Sequence, residues 1–158
     1  DPDYSQYPQV PSDDFFPLQS GSYTRYSTTG PNVPTYESGN QNIGYLKNGG
    51  VSEYTFYCTR KAYYNLAIGI KNYSGGTIEA TVVNEDGNTE LSGSFEIVAP
   101  SSDYGEVQYE FGDVLSTGVK TLKMVFKANH SSWIMNYKNV TLKKRADFDD
   151  GSTKYKVS

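Results

Sequence analysis

Val51-Ser52-Glu53-Tyr54-Thr55-Phe56-Tyr57-Cys58, followed after a short polar break by Tyr63-Tyr64-Asn65-Leu66-Ala67-Ile68-Gly69-Ile70, decides the fold class. In the first run Tyr54, Phe56 and Cys58 share one face. In the second, Tyr64, Leu66, Ile68 and Ile70 alternate with Tyr63, Asn65, Ala67 and Gly69. Strict alternation of this kind is the signature of a half-buried β-strand, since successive side chains of a strand point to opposite faces.

The same signal recurs downstream. Ile78, Ala80 and Val82 alternate and run into Asn84-Glu85-Asp86-Gly87-Asn88, where Asp-Gly marks a tight hairpin because glycine readily accepts positive φ. Leu91–Val98 returns with Phe95 and Ile97. Val107, Tyr109 and Phe111 follow, then Leu122, Met124 and Phe126 after the Ser116-Thr117-Gly118 turn, and a last run covers Trp133–Leu142. No window shows an apolar period of 3.6. Seven or more short strands with turns between them make an all-β, two-sheet sandwich of jelly-roll type.

The 158 residues suffice for one domain. Residues 1–14 hold three prolines and no periodicity and read as an extended N-terminal tether, or a strap over the domain. The folded unit is expected at 15–145, and 146–158 reads as a C-terminal tail or linker stub. Fifteen Tyr, seven Phe and one Trp suit a pleated surface and contacts with wet, polar ligands.

A net charge of −4 argues against nucleic acid as a partner. The basic run Lys143-Lys144-Arg145 reads as a solvated strand edge. No stretch approaches the roughly 20 apolar residues of a membrane span. Cys58 has no cysteine to pair with and lies on an alternating apolar face, so it is expected to be buried and inert.

Catalytic chemistry finds few carriers. His130 is the single histidine and lies in the polar loop Asn129-His130-Ser131-Ser132, which excludes metal sites built on several imidazoles. No serine sits in a nucleophile elbow and no Gly-rich phosphate loop is present. The carboxylate pairs Asp13-Asp14 and Asp149-Asp150 fall in the chain ends, where no fixed separation can be held. The chain is therefore not expected to be an enzyme.

The run Asn42-Ile43-Gly44-Tyr45-Leu46-Lys47-Asn48-Gly49-Gly50-Val51-Ser52-Glu53-Tyr54-Thr55-Phe56 resembles a recurring stretch of family 6 carbohydrate-binding modules. Three later segments fit the same family in order: Tyr64–Ile68, Val114–Phe126 and Trp133–Val140. The match spans roughly residues 15–143. It implies a jelly-roll sandwich that binds glycans at loops on one edge, non-catalytically, with a polysaccharide or oligosaccharide as partner.

Carried over residue by residue, the resemblance assigns the family's site tyrosine to Tyr45 and a second aromatic to Tyr104. For both, ordinary packing is the competing role. The family's sugar-binding asparagine falls on Ile134, which cannot bond a hydroxyl, leaving Asn136, Asn129 or Trp133 to take its place. Trp133 opens an apolar strand, a position that favours the core. The face bearing Tyr63 and Asn65 offers a second, shallow surface. The resemblance further implies a structural calcium ion near Phe16-Pro17-Leu18-Gln19. The neutral Gln19 amide is a poorer ligand for this hard cation than a carboxylate, so no cofactor is expected.

A structural or adhesive sandwich that packs against a neighbouring domain, with no glycan site, is the alternative function. Either function fits a secreted or cell-surface protein with an attached enzyme or surface-protein domain. The Pro- and Tyr-containing start also resembles the tether of lipid-anchored bacterial surface proteins.

Overall fold

The computed structural model describes residues 3–11, 25–28, 35–37, 39, 41–97 and 102–149. Among them are eleven strands and no helix: β1 (Gln9–Val10), β2 (Arg25–Thr28), β3 (Thr35–Glu37), β4 (Asn42–Gly44), β5 (Gly50–Cys58), β6 (Ala62–Asn72), β7 (Thr77–Asn84), β8 (Thr89–Glu96), β9 (Gly105–Leu115), β10 (Gly118–Lys127) and β11 (Met135–Asp147). One sheet has the order β1-β5-β10-β7-β8, with β2 also paired to β5. The other has the order β3-β4-β11-β6-β9. The fold class read from the sequence, an all-β two-sheet sandwich, is the one observed.

Alternation translates directly into burial. Tyr54, Phe56 and Cys58 of β5, Ile78, Ala80 and Val82 of β7, and Leu122, Met124 and Phe126 of β10 face Tyr64, Leu66, Ile68 and Ile70 of β6 and Tyr137, Val140 and Leu142 of β11 across one core. Burying a side chain of this size contributes about 1.5–3 kcal/mol, so these inward faces hold the two sheets against each other. The tyrosines enter the core with their hydroxyls partnered. Tyr54 Oη and Tyr137 Oη lie 2.7 Å apart, and Tyr137 Oη donates to Ser52 Oγ at 2.8 Å. At the β8–β9 side the layers are closed by Phe95, stacked on Tyr109 at 4.8 Å and edge-on to Phe111 at 5.3 Å.

Two irregularities set which side chains face where. Between Lys138 and Thr141 the register of β11 against β6 shifts, and Asn139 adopts φ 56°. A bulge inserts one residue and reverses the inward–outward sequence. Asn136 and Lys138 therefore face outward on one side of it while Val140 and Leu142 face the core on the other. In β8 the residue between Thr89 and Leu91 has no partner on β7, and that residue is Glu90. Its carboxylate meets Lys120 Nζ at 2.6 Å, with Lys120 only 2% exposed.

At the chain start Gln9 and Val10 pair in parallel with Tyr57 and Cys58, Val10 is fully buried, and Tyr4 stacks on Tyr57 at 4.5 Å. Part of the stretch read as a tether is thus docked on the sheet. At the other end β11 continues to Asp147. Phe16-Pro17-Leu18-Gln19, Asp13-Asp14 and Asp150 lie outside the described residues.

Candidate glycan-binding site

The chain leaves β4 through Tyr45, whose φ of 61° is a left-handed conformation disfavoured by any Cβ. The turn sends Leu46 into the core and leaves Tyr45 half exposed. Ile134 N donates to Leu46 O at 2.9 Å, which joins this loop to the segment entering β11. Tyr73 N and Ser74 N in turn donate to Ile134 O at 3.0 and 3.2 Å, drawing in the β6–β7 turn. Three segments far apart in sequence so meet at one backbone position.

The result is a cleft of about 190 Å³ lined by Glu37, Tyr45, Leu46, Tyr73, Trp133, Met135 and Asn136. Tyr45 and Trp133 stand edge to face with ring centroids 5.7 Å apart. They are 50% and 42% exposed, and Tyr73 is 49% exposed, the large apolar side chains least covered among the described residues. Polar groups line the cleft as well. Asn136 Nδ2 donates to Tyr73 Oη at 3.4 Å, and Glu37 Oε1 accepts from Asn42 Nδ2 at 2.9 Å. Gly44 makes room for them: a methyl group there would collide with the Glu37 carboxylate and come within 3.2 Å of Asn136 Oδ1.

Of the residues singled out in the sequence, Tyr45, Trp133 and Asn136 converge on this cleft. The core position favoured for Trp133 is not the observed one. Strand β11 begins two residues later, at Met135, and the buried place is taken by the neighbouring Ile134. Ile134, the position of the family's asparagine, is fully buried and acts through its backbone.

Tyr104 lines an adjoining hollow with Gly69, Asp103, Glu106, Lys138 and Asn139. Burial pushes its hydroxyl pKa up, and a hydrogen bond with Asn136 partly opposes that rise. Asn136 is thus the link between the two. Glu37, Tyr73 and Met135 were not singled out. Tyr73, an aromatic in the turn-rich Asn72-Tyr73-Ser74-Gly75-Gly76, carried a usable signal; Glu37 carried none.

Two other surfaces are built differently, although Tyr63 meets Phe148 at 6.2 Å, tilted, with both rings partly exposed. The face bearing Tyr63 and Asn65 is laced with polar contacts: Asn65 Nδ2 to Gln108 Oε1 at 3.2 Å, Lys143 to Glu106 at 3.2 Å, and the Arg145 guanidinium 5.1 Å from the Tyr63 ring centre. A larger hollow of about 600 Å³ by Asn48, Ser94, Glu96 and His130 has no aromatic lining. His130 serves structure there, with Nε2 2.9 Å from Gly75 O and Nδ1 accepting from Ser132 N at 3.2 Å. Among the described residues no group of three or more His, Cys, Asp or Glu is placed to hold a metal ion.

No family model and no curated protein matches the sequence. Solved structures do match the fold. A family 6 carbohydrate-binding module from Clostridium cellulolyticum, in complex with xylose, superposes with a TM-score of 0.58 at 18% identity, covering 78% of this chain and 92% of that one. The module CsCBM6-3 from Clostridium stercorarium, in complex with cellobiose, gives 0.54 at 18% identity over 80% and 91%. The carbohydrate-binding module of Cellvibrio mixtus lichenase 5A, in complex with cellotriose, gives 0.53 at 19% over 77% and 91%. The chain has the fold of these modules.

Proposed function

We propose that this protein is a non-catalytic glycan-binding module in which a sugar ring rests against the exposed faces of Tyr45 and Trp133. The observation that carries the reading is the exposed edge-to-face pair of those rings, in a cleft that the polar groups of Glu37, Tyr73 and Asn136 also line. A pyranose presents its axial C–H groups as an apolar face and its hydroxyls at the rim. Aromatic rings match the first, and Asn136, Tyr73 Oη and the Glu37 carboxylate match the second. The modest volume suits one ring of a longer chain. Tyr104, reached through Asn136, borders the path of a neighbouring ring. The left-handed backbone at Tyr45 supports the same assignment, since strain of this kind concentrates at ligand clamps.

The role fits a protein outside the cytoplasm, secreted or on the cell surface, where cell-wall polysaccharides lie, and a lipid anchor or an attached enzyme or surface-protein domain is compatible with it. No helix long and apolar enough to cross a membrane occurs among the described residues. Binding is proposed to need no calcium, because the polar groups lining the cleft include a single carboxylate, too few for this hard cation.

Affinity measurement on immobilised xylan and β-glucan tests this. Replacing Tyr45 or Trp133 by Ala should weaken binding by about 1–3 kcal/mol, by analogy with aromatic stacking platforms, and leave the melting temperature within a few degrees. Chelation should change nothing. A folded Tyr45→Ala variant that binds as tightly as the parent refutes the cleft. If no glycan binds at all, the exposed rings are an adhesive surface for another protein.

A further inference from the structure

Six of the lysines and arginines among the described residues are matched by carboxylates. Arg60 pairs with Asp147, Lys120 with Glu90, Lys127 with Glu79, Lys143 with Glu106, Lys144 with Asp147 and Arg145 with Glu110. The lysines around the cleft differ. Lys47 Nζ lies 4.5 Å from the centre of the Trp133 ring, Lys71 Nζ 5.9 Å from that of Tyr73, and Lys138 Nζ 4.3 Å from that of Tyr104, and none has a carboxylate partner among the described residues. Each of the three rings at or beside the cleft other than Tyr45 thus carries an ammonium. Lys61 does the same over Phe148, but at the far end of β6.

Their backbone places converge. Lys71 is the direct cross-strand partner of Asn136, and Lys138 is one pleat along the same face of β11. Lys47 follows Tyr45 by two residues. In a chain of net charge −4, three unmatched ammonium groups around one cleft form a local positive field. The acidic groups nearby are Glu37, bonded by Asn42; Asp103, whose Oδ1 accepts from Tyr104 N at 2.7 Å; and Glu106, which lines the Tyr104 hollow and is paired with Lys143 at 3.2 Å.

We propose that the ligand is an anionic glycan, with a carboxylate or a sulfate ester on its sugar rings, and that Lys47, Lys71 and Lys138 receive the charged substituent. The proposal rests on the glycan reading above and names its substrate class. Its reason is competition for ring faces. An ammonium over an aromatic face is held there by the ring quadrupole, on the surface where a sugar would stack. A neutral sugar displaces it and offers no charge in return. An acidic sugar draws it off the ring into a charge-assisted hydrogen bond and takes the vacated face. The ammonium groups are pre-placed, which lowers the ordering cost of the complex.

Isothermal titration of the whole chain with hexagalacturonate, dextran sulfate, cellohexaose and xylohexaose tests this. At low salt at least one acidic probe is expected to bind about tenfold or more tighter than both neutral ones, with an affinity that falls as NaCl is raised. Preference between the two acidic probes assigns carboxylate or sulfate. The triple variant Lys47→Gln, Lys71→Gln, Lys138→Gln should lose that preference and its salt dependence, and Tyr45→Ala should lose affinity for every probe. Neutral probes that bind as tightly as acidic ones, or acidic binding insensitive to salt in the unaltered chain, overturn the anionic assignment and leave the glycan reading standing. Absence of binding to all four probes and to the immobilised polysaccharides removes both.

Discussion

Replacing Glu90 by Gln tests how the interior tolerates charge. Burial alone would raise the Glu90 carboxyl pKa, but hydrogen bonds from Lys120 and from the Ser116 amide and hydroxyl more than reverse this and bring it from 4.5 to about 2. The contacts are short: 2.6 Å to Lys120 Nζ, 2.9 Å to Ser116 N and 2.7 Å to Ser116 Oγ. At about 1.4 kcal/mol for each pH unit, that depression is worth about 3 kcal/mol. The Glu90 side chain keeps 16% of its surface in water, so the figure is an upper one.

The amide of Gln still accepts hydrogen bonds but leaves the Lys120 charge buried without a counter-ion. A loss of about 2–3 kcal/mol at pH 7 is expected, a little less than breaking a fully buried pair costs because Glu90 keeps some contact with water, which lowers the melting temperature by about 5–10 °C. The sign follows from the depressed pKa. The stabilisation is complete above the unfolded carboxyl's pKa and fades as pH falls from about 5 toward 2, so the parent should lose stability over that range and Glu90→Gln should lose less. Urea unfolding followed by circular dichroism at several pH values measures both. Adding Lys120→Met to Glu90→Gln should recover much of the loss, because apolar replacement of a buried pair is often neutral. A change below about 0.5 kcal/mol at pH 7, with an unaltered acid slope, would refute the reasoning.

Gly44→Ala should weaken glycan binding severalfold at nearly unchanged stability, because the added methyl displaces the movable Glu37 carboxylate and crowds Asn136; paired titration and thermal melts check this. Tyr137→Phe removes the hydroxyl that bonds Tyr54 and Ser52 in the core and is expected to cost about 1–3 kcal/mol in urea unfolding, without effect on binding. Cys58 is buried, and desolvation pushes its thiol pKa up. A disulfide reagent should therefore label it slowly in the native protein and rapidly in denaturant, and fast native labelling would contradict the packing.

The sandwich was legible in the sequence because period two leaves a mark in every strand. Alternation in Val51–Cys58 and Tyr63–Ile70 fixes which side chains face the core, and a slip of one residue would expose all of them. The longer strands β5 to β11 carry that mark, while β1 and β4, at two and three residues, are too short to show it. Tyr45 was singled out through the resemblance of a contiguous run, whereas Asn136 and Trp133 were two of three substitutes left open for the asparagine that falls on Ile134. That both sit exposed at the cleft was not legible. Extending alternation back from Val140 and Leu142 would put Lys138 and Asn136 in the core, and only the bulge at Asn139 turns them outward. A bulge is a property of strand pairing, since the extra residue is extra only against a partner.

The cleft depends on pairing more strongly still. Glu37, Tyr45, Tyr73, Trp133 and Asn136 come from four separate stretches, joined by backbone hydrogen bonds at Leu46 and Ile134 that no side-chain pattern encodes. The sequence by itself therefore determined which faces are apolar, and with them the two-layer fold, because hydrophobic burial acts on local periodicity. The tertiary structure alone decided which exposed groups meet. The rings, amide and ammonium groups around the cleft became neighbours only when β4, β6 and β11 were set side by side, bulge included.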